Sequence, residues 1–214
     1  MNELNNIENE VRECKKCGLW EHRNNYVFGE GDPNAEIVFV GEAPGREEDK
    51  RGKPFIGSAG KVLSETLEKA GLKREGVYIT NILKCRPPNN RDPLPEEVKS
   101  CSPYLIGQIE SIRPKVIVCL GKHASSFILE LFGLDFSSIS RDRGRVYKLS
   151  KSSKIEDLRQ WGLDLFVVPT YHPAATLYRV QLKESFENDI RKIAEMLTSH
   201  GNSRNTTLDQ FFGG

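Results

Sequence analysis

The sequence lacks most of the global signals that would classify a protein at a glance. Among its 214 residues, 31 Lys and Arg stand against 30 Asp and Glu. A net charge of +1 marks neither a polybasic nor a polyacidic binder, so any contact with a polyanion must come from local clusters. No apolar run approaches the roughly 20 residues of a membrane span, and the opening MNELNNIENEVRE has no apolar leader core. The expectation is a soluble, cytoplasmic monomer with no membrane partner. Five cysteines are an odd number and too few for a disulfide scaffold, which leaves ligands, redox groups or core residues. Histidine is scarce (His22, His123, His172, His200), no Ser, Cys or Lys nucleophile stands beside a matching base, and there is no internal repeat.

What is present alternates. EIVFV (36–40), VYIT (77–80), VIVCL (116–120) and LFVVP (165–169) read as buried strands, short and rich in Val and Ile. Helical patterns lie between and after them: GKVLSETLEKAG, PEEVKSCSPYLIGQIESI after Leu94, KHASSFILELFG and SFENDIRKIAEML. Strands alternating with helices predict an α/β fold of three layers, with a central four-stranded, mainly parallel sheet flanked by helices. One domain is expected over residues 1–200, followed by a mobile tail over 201–214. Residues 141–161 break the alternation as a basic, turn-rich excursion.

Ligands of open parallel sheets bind beyond the carboxyl ends of the strands. The four runs are followed there by GEAPGREED, NILKCRPP, GKHA and TYHPAATLYR, which gathers Glu42, Asn81 and His172 onto one rim. GEAPG brackets a Pro turn with glycines, so backbone N–H groups can approach a ligand closely. Glu48 and Asp49 read as a solvated acidic loop, and Phe55 in KPFIGSAG is a loop-borne ring on which a flat base could stack. Cys14 and Cys17 form a C-x-x-C pair, either a complete redox pair or half of a metal site.

GEAPG, the phenylalanine of PFIGSAG, the asparagine of TNILKCRPP, the HPAA stretch and the cysteine spacing together resemble the family-4 uracil-DNA glycosylases, iron–sulfur enzymes of thermophilic bacteria and archaea. The resemblance runs from Cys14 to the last helix. It implies an enzyme that flips uracil out of single- or double-stranded DNA, hydrolyses the N-glycosidic bond and begins base-excision repair. It implies that Asn81 reads the Watson–Crick edge, Phe55 stacks on the base, Glu48 crowds C5 against thymine, and backbone around Glu42 and Ala43 completes the pocket. His172 would donate to uracil O2 as charge develops, and Glu42 is the nearest carboxylate to position water, because Ala43 stands where family-1 enzymes carry an Asp.

On the same resemblance the partners of Cys14 and Cys17 are Cys85 and Cys101. Four thiolates suit zinc or an iron–sulfur cluster by spacing alone; the family selects a [4Fe–4S] cluster. Cys119, inside VIVCL, reads as core. Phosphate contacts are expected from Lys50, Arg51, Lys53, Lys84, Arg86, Arg91, Arg141, Arg143, Arg145 and Arg179, and a wedge into the flipped-base gap from Leu177 and Tyr178. The tail NTTLDQFF (205–212), with Leu208, Phe211 and Phe212 as anchors, resembles the peptide that docks on the sliding clamp of replication. A glycosylase of different base preference and a non-catalytic iron–sulfur DNA binder remain the competing readings.

Overall fold

Val- and Ile-rich runs that alternate between two buried faces make the parallel centre of one sheet: β2 (Ile37–Gly41), β3 (Tyr78–Asn81), β4 (Val116–Leu120) and β6 (Leu165–Thr170). This is a computed structural model describing residues 3–149 and 165–201. Successive side chains of a strand point to opposite faces, so each run feeds two cores. Val38, Val40, Ile117, Cys119 and Val167 meet one helical layer; Ile37, Phe39, Val116, Val118, Phe166 and Val168 meet the other. The first layer is α1 (Glu3–Glu13), α4 (Pro95–Ile112) and α5 (Lys122–Leu131), through residues such as Val11, Leu105, Ile109 and Ile128. Opposite lie α3 (Ser58–Lys69) and α8 (Val180–Gly201), through Leu63, Leu67, Phe186 and Ile190. The three-layer α/β/α expectation holds, and Cys119 is fully buried in the core as expected.

Among the described residues the sheet has six strands rather than the four expected, in the order β1-β3-β2-β4-β6-β5. The two additions are antiparallel edges, β1 (Glu30–Gly31) beside β3 and β5 (Tyr147–Leu149) beside β6. They are two and three residues long and carry Glu, Gly and Lys, so they offer no apolar run. Three short helices also fall in stretches read as loop: α2 (Arg46–Arg51), α6 (Ile139–Asp142) and α7 (Pro173–Thr176). The parallel pairs β3–β2, β2–β4 and β4–β6 all end at one rim, where Gly41 stands opposite Asn81 and Leu120 opposite Thr170.

Candidate active site

At that rim the end of β2 carries no side chain, and two functional groups use the space. A Cβ on Gly41 would lie 2.3 Å from Asn81 Oδ1 and 2.5 Å from Phe55 Cζ. Asn81 and Phe55 therefore close on the same spot. Asn81 is 1% exposed, and its Oδ1 finds no hydrogen-bond partner among the described residues. A buried acceptor left unpaired costs about 1–3 kcal/mol, a cost that a donating ligand removes.

Phe55 sits at φ +48°, a left-handed conformation that a bulky residue adopts only under constraint. The constraints are visible on both sides. Glu48 Oε1 accepts from the amides of Ile56 (3.0 Å) and Gly57 (2.8 Å), Arg74 donates to Pro54 O at 2.7 Å, and a Cβ on Gly60 would overlap the Phe55 carbonyl at 1.8 Å. The acidic run is thus no solvated loop. Asp49 in α2 is buried, accepts from the Asn24 amide at 2.9 Å and from its side chain, and ties α2 to the chain before β1.

His172 follows β6 and caps α7. Its Nδ1 accepts from Ala174 N at 3.1 Å, so Nε2 carries the proton of the neutral ring and is free to donate. The ring lies 5.7 Å from that of Phe55, centroid to centroid, at 35°. Burial drives its pKa down to about 4, against the opposing charge of Glu48. Gly121, at φ +90° between β4 and α5, permits this approach, since a Cβ there would come within 2.8 Å of His172 Cβ. This glycine was not singled out from the sequence.

Glu42 is the next residue after Gly41, and burial raises its carboxyl above the usual range while His123 opposes the shift. His123 Nε2 lies 3.8 Å from Glu42 Oε2 and 3.4 Å from Asp92 Oδ2, a grouping the sequence reading missed because the three residues come from separate elements. Ala43 is half-buried against the α4–α5 core.

Cys14, Cys17, Cys85 and Cys101 line one cavity together with Val11, Leu19, Trp20 and Tyr104. They arrive from the end of α1, the turn after it, the turn after β3, and α4. Burial pushes the thiols of Cys17 and Cys85 up and that of Cys101 to about 11. Arg23 donates to Cys85 Sγ at 3.4 Å, and Lys84 N donates to Cys101 Sγ at 3.2 Å. Lys84 corrects an expectation. Expected at phosphate, it is instead 1% exposed, with its ammonium bonded inside the fold and its pKa lowered to about 7 by burial.

Arg143, also expected at phosphate, is committed to a pair with buried Asp189, Nη2 to Oδ1 at 2.6 Å and Nε to Oδ2 at 3.1 Å. Arg145 pairs with Asp142 at 3.2 Å, Arg91 is forked onto Glu97, and Lys50 and Lys53 pair with Glu47 and Glu30. Arg86 is half-buried and bonds Asn90, while Arg179 is exposed. Leu177, Tyr178 and Val180 stand out at 43%, 88% and 84% exposure, directly after the helix that His172 caps. Leu208, Phe211 and Phe212 lie outside the described residues.

The rim therefore offers a flat aromatic wall, an amide with an open acceptor and a neutral imidazole donor around one gap, a set suited to a planar heterocycle with alternating polar atoms. Residues 28–197 match the family model described as the uracil DNA glycosylase superfamily. The chain is similar to the type-4 uracil-DNA glycosylase of Archaeoglobus fulgidus, 55% identical over 92% of this chain and 94% of the relative. It is similar also to those of Sulfurisphaera tokodaii (48%; 100% and 92%) and Thermotoga maritima (42%; 91% and 95%).

Proposed function

The chain belongs to the uracil-DNA glycosylase superfamily, and from that premise we propose that it hydrolyses the N-glycosidic bond of uracil in DNA, releasing the base and leaving an abasic site. The observation that carries the reading is the open acceptor of Asn81. Uracil presents O4 as acceptor and N3–H as donor; Asn81 Nδ2 donates to the first and Oδ1 accepts from the second. Cytosine inverts both polarities, so it would leave buried groups unpaired, which discriminates far better than shape alone. Phe55 stacks on the base, and Glu48, fixed by two loop amides, forms the wall that meets C5 and rejects the methyl group of thymine.

Bond cleavage builds negative charge on uracil and positive charge on the sugar. His172 stays neutral at working pH and donates Nε2–H to O2, where charge collects, without surrendering a proton first. Glu42 positions the water that attacks the sugar, and the carboxylate beside the cationic transition state stabilises it. On the DNA side, Arg86 and Arg179 contact phosphate, while Leu177 and Tyr178 fill the gap left by the flipped nucleotide.

The four cysteines fit a [4Fe–4S] cluster by donor chemistry: soft sulfurs in a largely apolar cavity. Among the described residues, the group of three donors close enough for a single ion, all within 4.8 Å, is Glu42, Asp92 and His123 and contains no cysteine. A [4Fe–4S] cluster takes all four thiolates as its ligands. Bound there, it supplies a cross-link joining α1, the segment after β3, and α4. The tail over 205–212 is the proposed contact with a sliding clamp, on its sequence pattern.

Single-turnover cleavage of uracil-bearing oligonucleotides tests the roles. Asn81→Ala should weaken uracil recognition severely, and His172→Ala should slow the chemical step more than binding. A His172→Ala rate equal to wild type would refute the electrostatic role.

A further inference from the structure

The side-chain nitrogen of Lys84 is sealed inside the protein, 1% exposed, and its acceptors among the described residues are all neutral: Gln108 Oε1 at 2.6 Å, the Asn81 carbonyl at 2.7 Å and Thr80 Oγ1 at 2.8 Å. Desolvating an ammonium is costly, and charges are normally buried with a counter-charge. The Lys84 backbone amide donates to Cys101 Sγ at 3.2 Å, so the same residue also touches a member of the four-cysteine set. The acceptors are in turn held. Thr80 Oγ1 donates to Phe28 O at 2.7 Å, and Gln108 Nε2 donates to Phe28 O at 2.9 Å and to Tyr78 Oη at 3.2 Å. The ammonium is thus fixed from several sides, and one of its bonds ends on the main chain of the residue whose side chain faces the base.

We propose that Lys84 is the positioning residue for Asn81: its ammonium pins the Asn81 carbonyl from beneath the pocket while its amide holds a ligand of the four-cysteine site. Loading of that site and alignment of the base-reading amide are then one structural event. The Lys84 amide is tied to Cys101, its side-chain nitrogen fixes the end of β3, and the end of β3 aims Oδ1 and Nδ2 at the pocket. The glycosylase reading and the cluster reading are both premises of this inference.

The test is titration of the iron-loaded enzyme with free uracil, beside its affinity for abasic-site DNA, which does not engage the Asn81 amide. Lys84→Met should weaken uracil about tenfold to a hundredfold, the range expected when a buried acceptor loses a charged donor. Abasic DNA should bind as to wild type. Lys84→Gln keeps a donor for the carbonyl without the charge. It should restore uracil to within about threefold of wild type, while the cluster's midpoint potential, read by paramagnetic resonance, moves negative. Uracil affinity unchanged in Lys84→Met, or no recovery in Lys84→Gln, overturns the proposal. If Lys84→Met does not fold, Gln108→Glu decides. A carboxylate there draws the ammonium from the carbonyl and should weaken uracil in the same sense; wild-type affinity overturns the proposal. Failure of the premises reads differently: wild type that releases no uracil from DNA defeats the glycosylase assignment, and stoichiometric zinc in place of iron defeats the cluster.

Discussion

Replacing Gly41 with alanine perturbs the pocket and little else. Gly41 ends β2 in register with Asn81, and its φ lies outside the left-handed region, so its backbone accepts a side chain without strain. The new methyl would stand 2.3 Å from Asn81 Oδ1 and 2.5 Å from Phe55 Cζ, where ordinary contact begins at 3.4 Å. Both the amide and the ring must therefore retreat by about an ångström, and a misplacement of that size costs about a hundredfold in rate. The stability terms oppose one another. Overpacking costs about 1–3 kcal/mol, and the lost freedom of glycine in the unfolded chain returns about 0.4–1 kcal/mol. Single-turnover release of uracil, run beside thermal unfolding, should show a loss near a hundredfold with a melting shift of only a few degrees. A folded Gly41→Ala enzyme within about threefold of the wild-type rate would refute the placement of the base between Asn81 and Phe55.

The remaining expectations concern charge, DNA and the cysteines. His172 is neutral down to about pH 4 when folded, whereas an unfolded imidazole titrates near 6.5. Protons therefore favour the unfolded chain between those values: stability falls as pH drops from about 6.5 to 4 and flattens below. Imidazole NMR shifts should place the titration near 4, and a midpoint near 6.5 would contradict the burial argument. Arg143→Ala strands the carboxylate of Asp189 and should cost about 2–3 kcal/mol, less than a fully buried pair because Arg143 is 27% exposed and Thr170 still donates to Asp189. Unchanged melting with weakened DNA binding would return Arg143 to the phosphate role. Tyr178→Ala should slow uracil release from duplex DNA by several-fold more than from single strands, because only the duplex leaves a gap to fill; equal slowing on both would exclude the wedge. Cys14→Ser should lose iron and about 5–15 °C of melting temperature before the chemistry of any surviving folded fraction suffers, and full iron content would remove Cys14 from the ligand set.

How much of this was readable in advance depends on how strongly each residue's neighbours constrain it. The parallel strands announce themselves because both of their faces are buried, which demands unbroken Val and Ile. The edges β1 and β5 have one open side and three or fewer residues, so their composition carries no such demand. The rim positions of Asn81 and His172 were legible because topology places whatever follows a parallel strand there. Lys84 was misread because a lysine among arginines and prolines looks like surface; the contrary signal was Ile82 and Leu83 before it, both fully buried with it. The pairing of Arg143 with Asp189 joins residues 46 positions apart and leaves no local trace. The Phe55 loop was recognised as a loop, but the clamp on it, Glu48 from one side and Gly60 from the other, exists only in three dimensions.

The central claim is that the open amide of Asn81 selects uracil for excision. Matched oligonucleotides carrying a single uracil, cytosine or thymine, incubated with the wild-type protein and assayed for free base, test it most directly. The account predicts release of uracil alone, from both single and double strands. No uracil release, or cytosine released at a comparable rate, would contradict it.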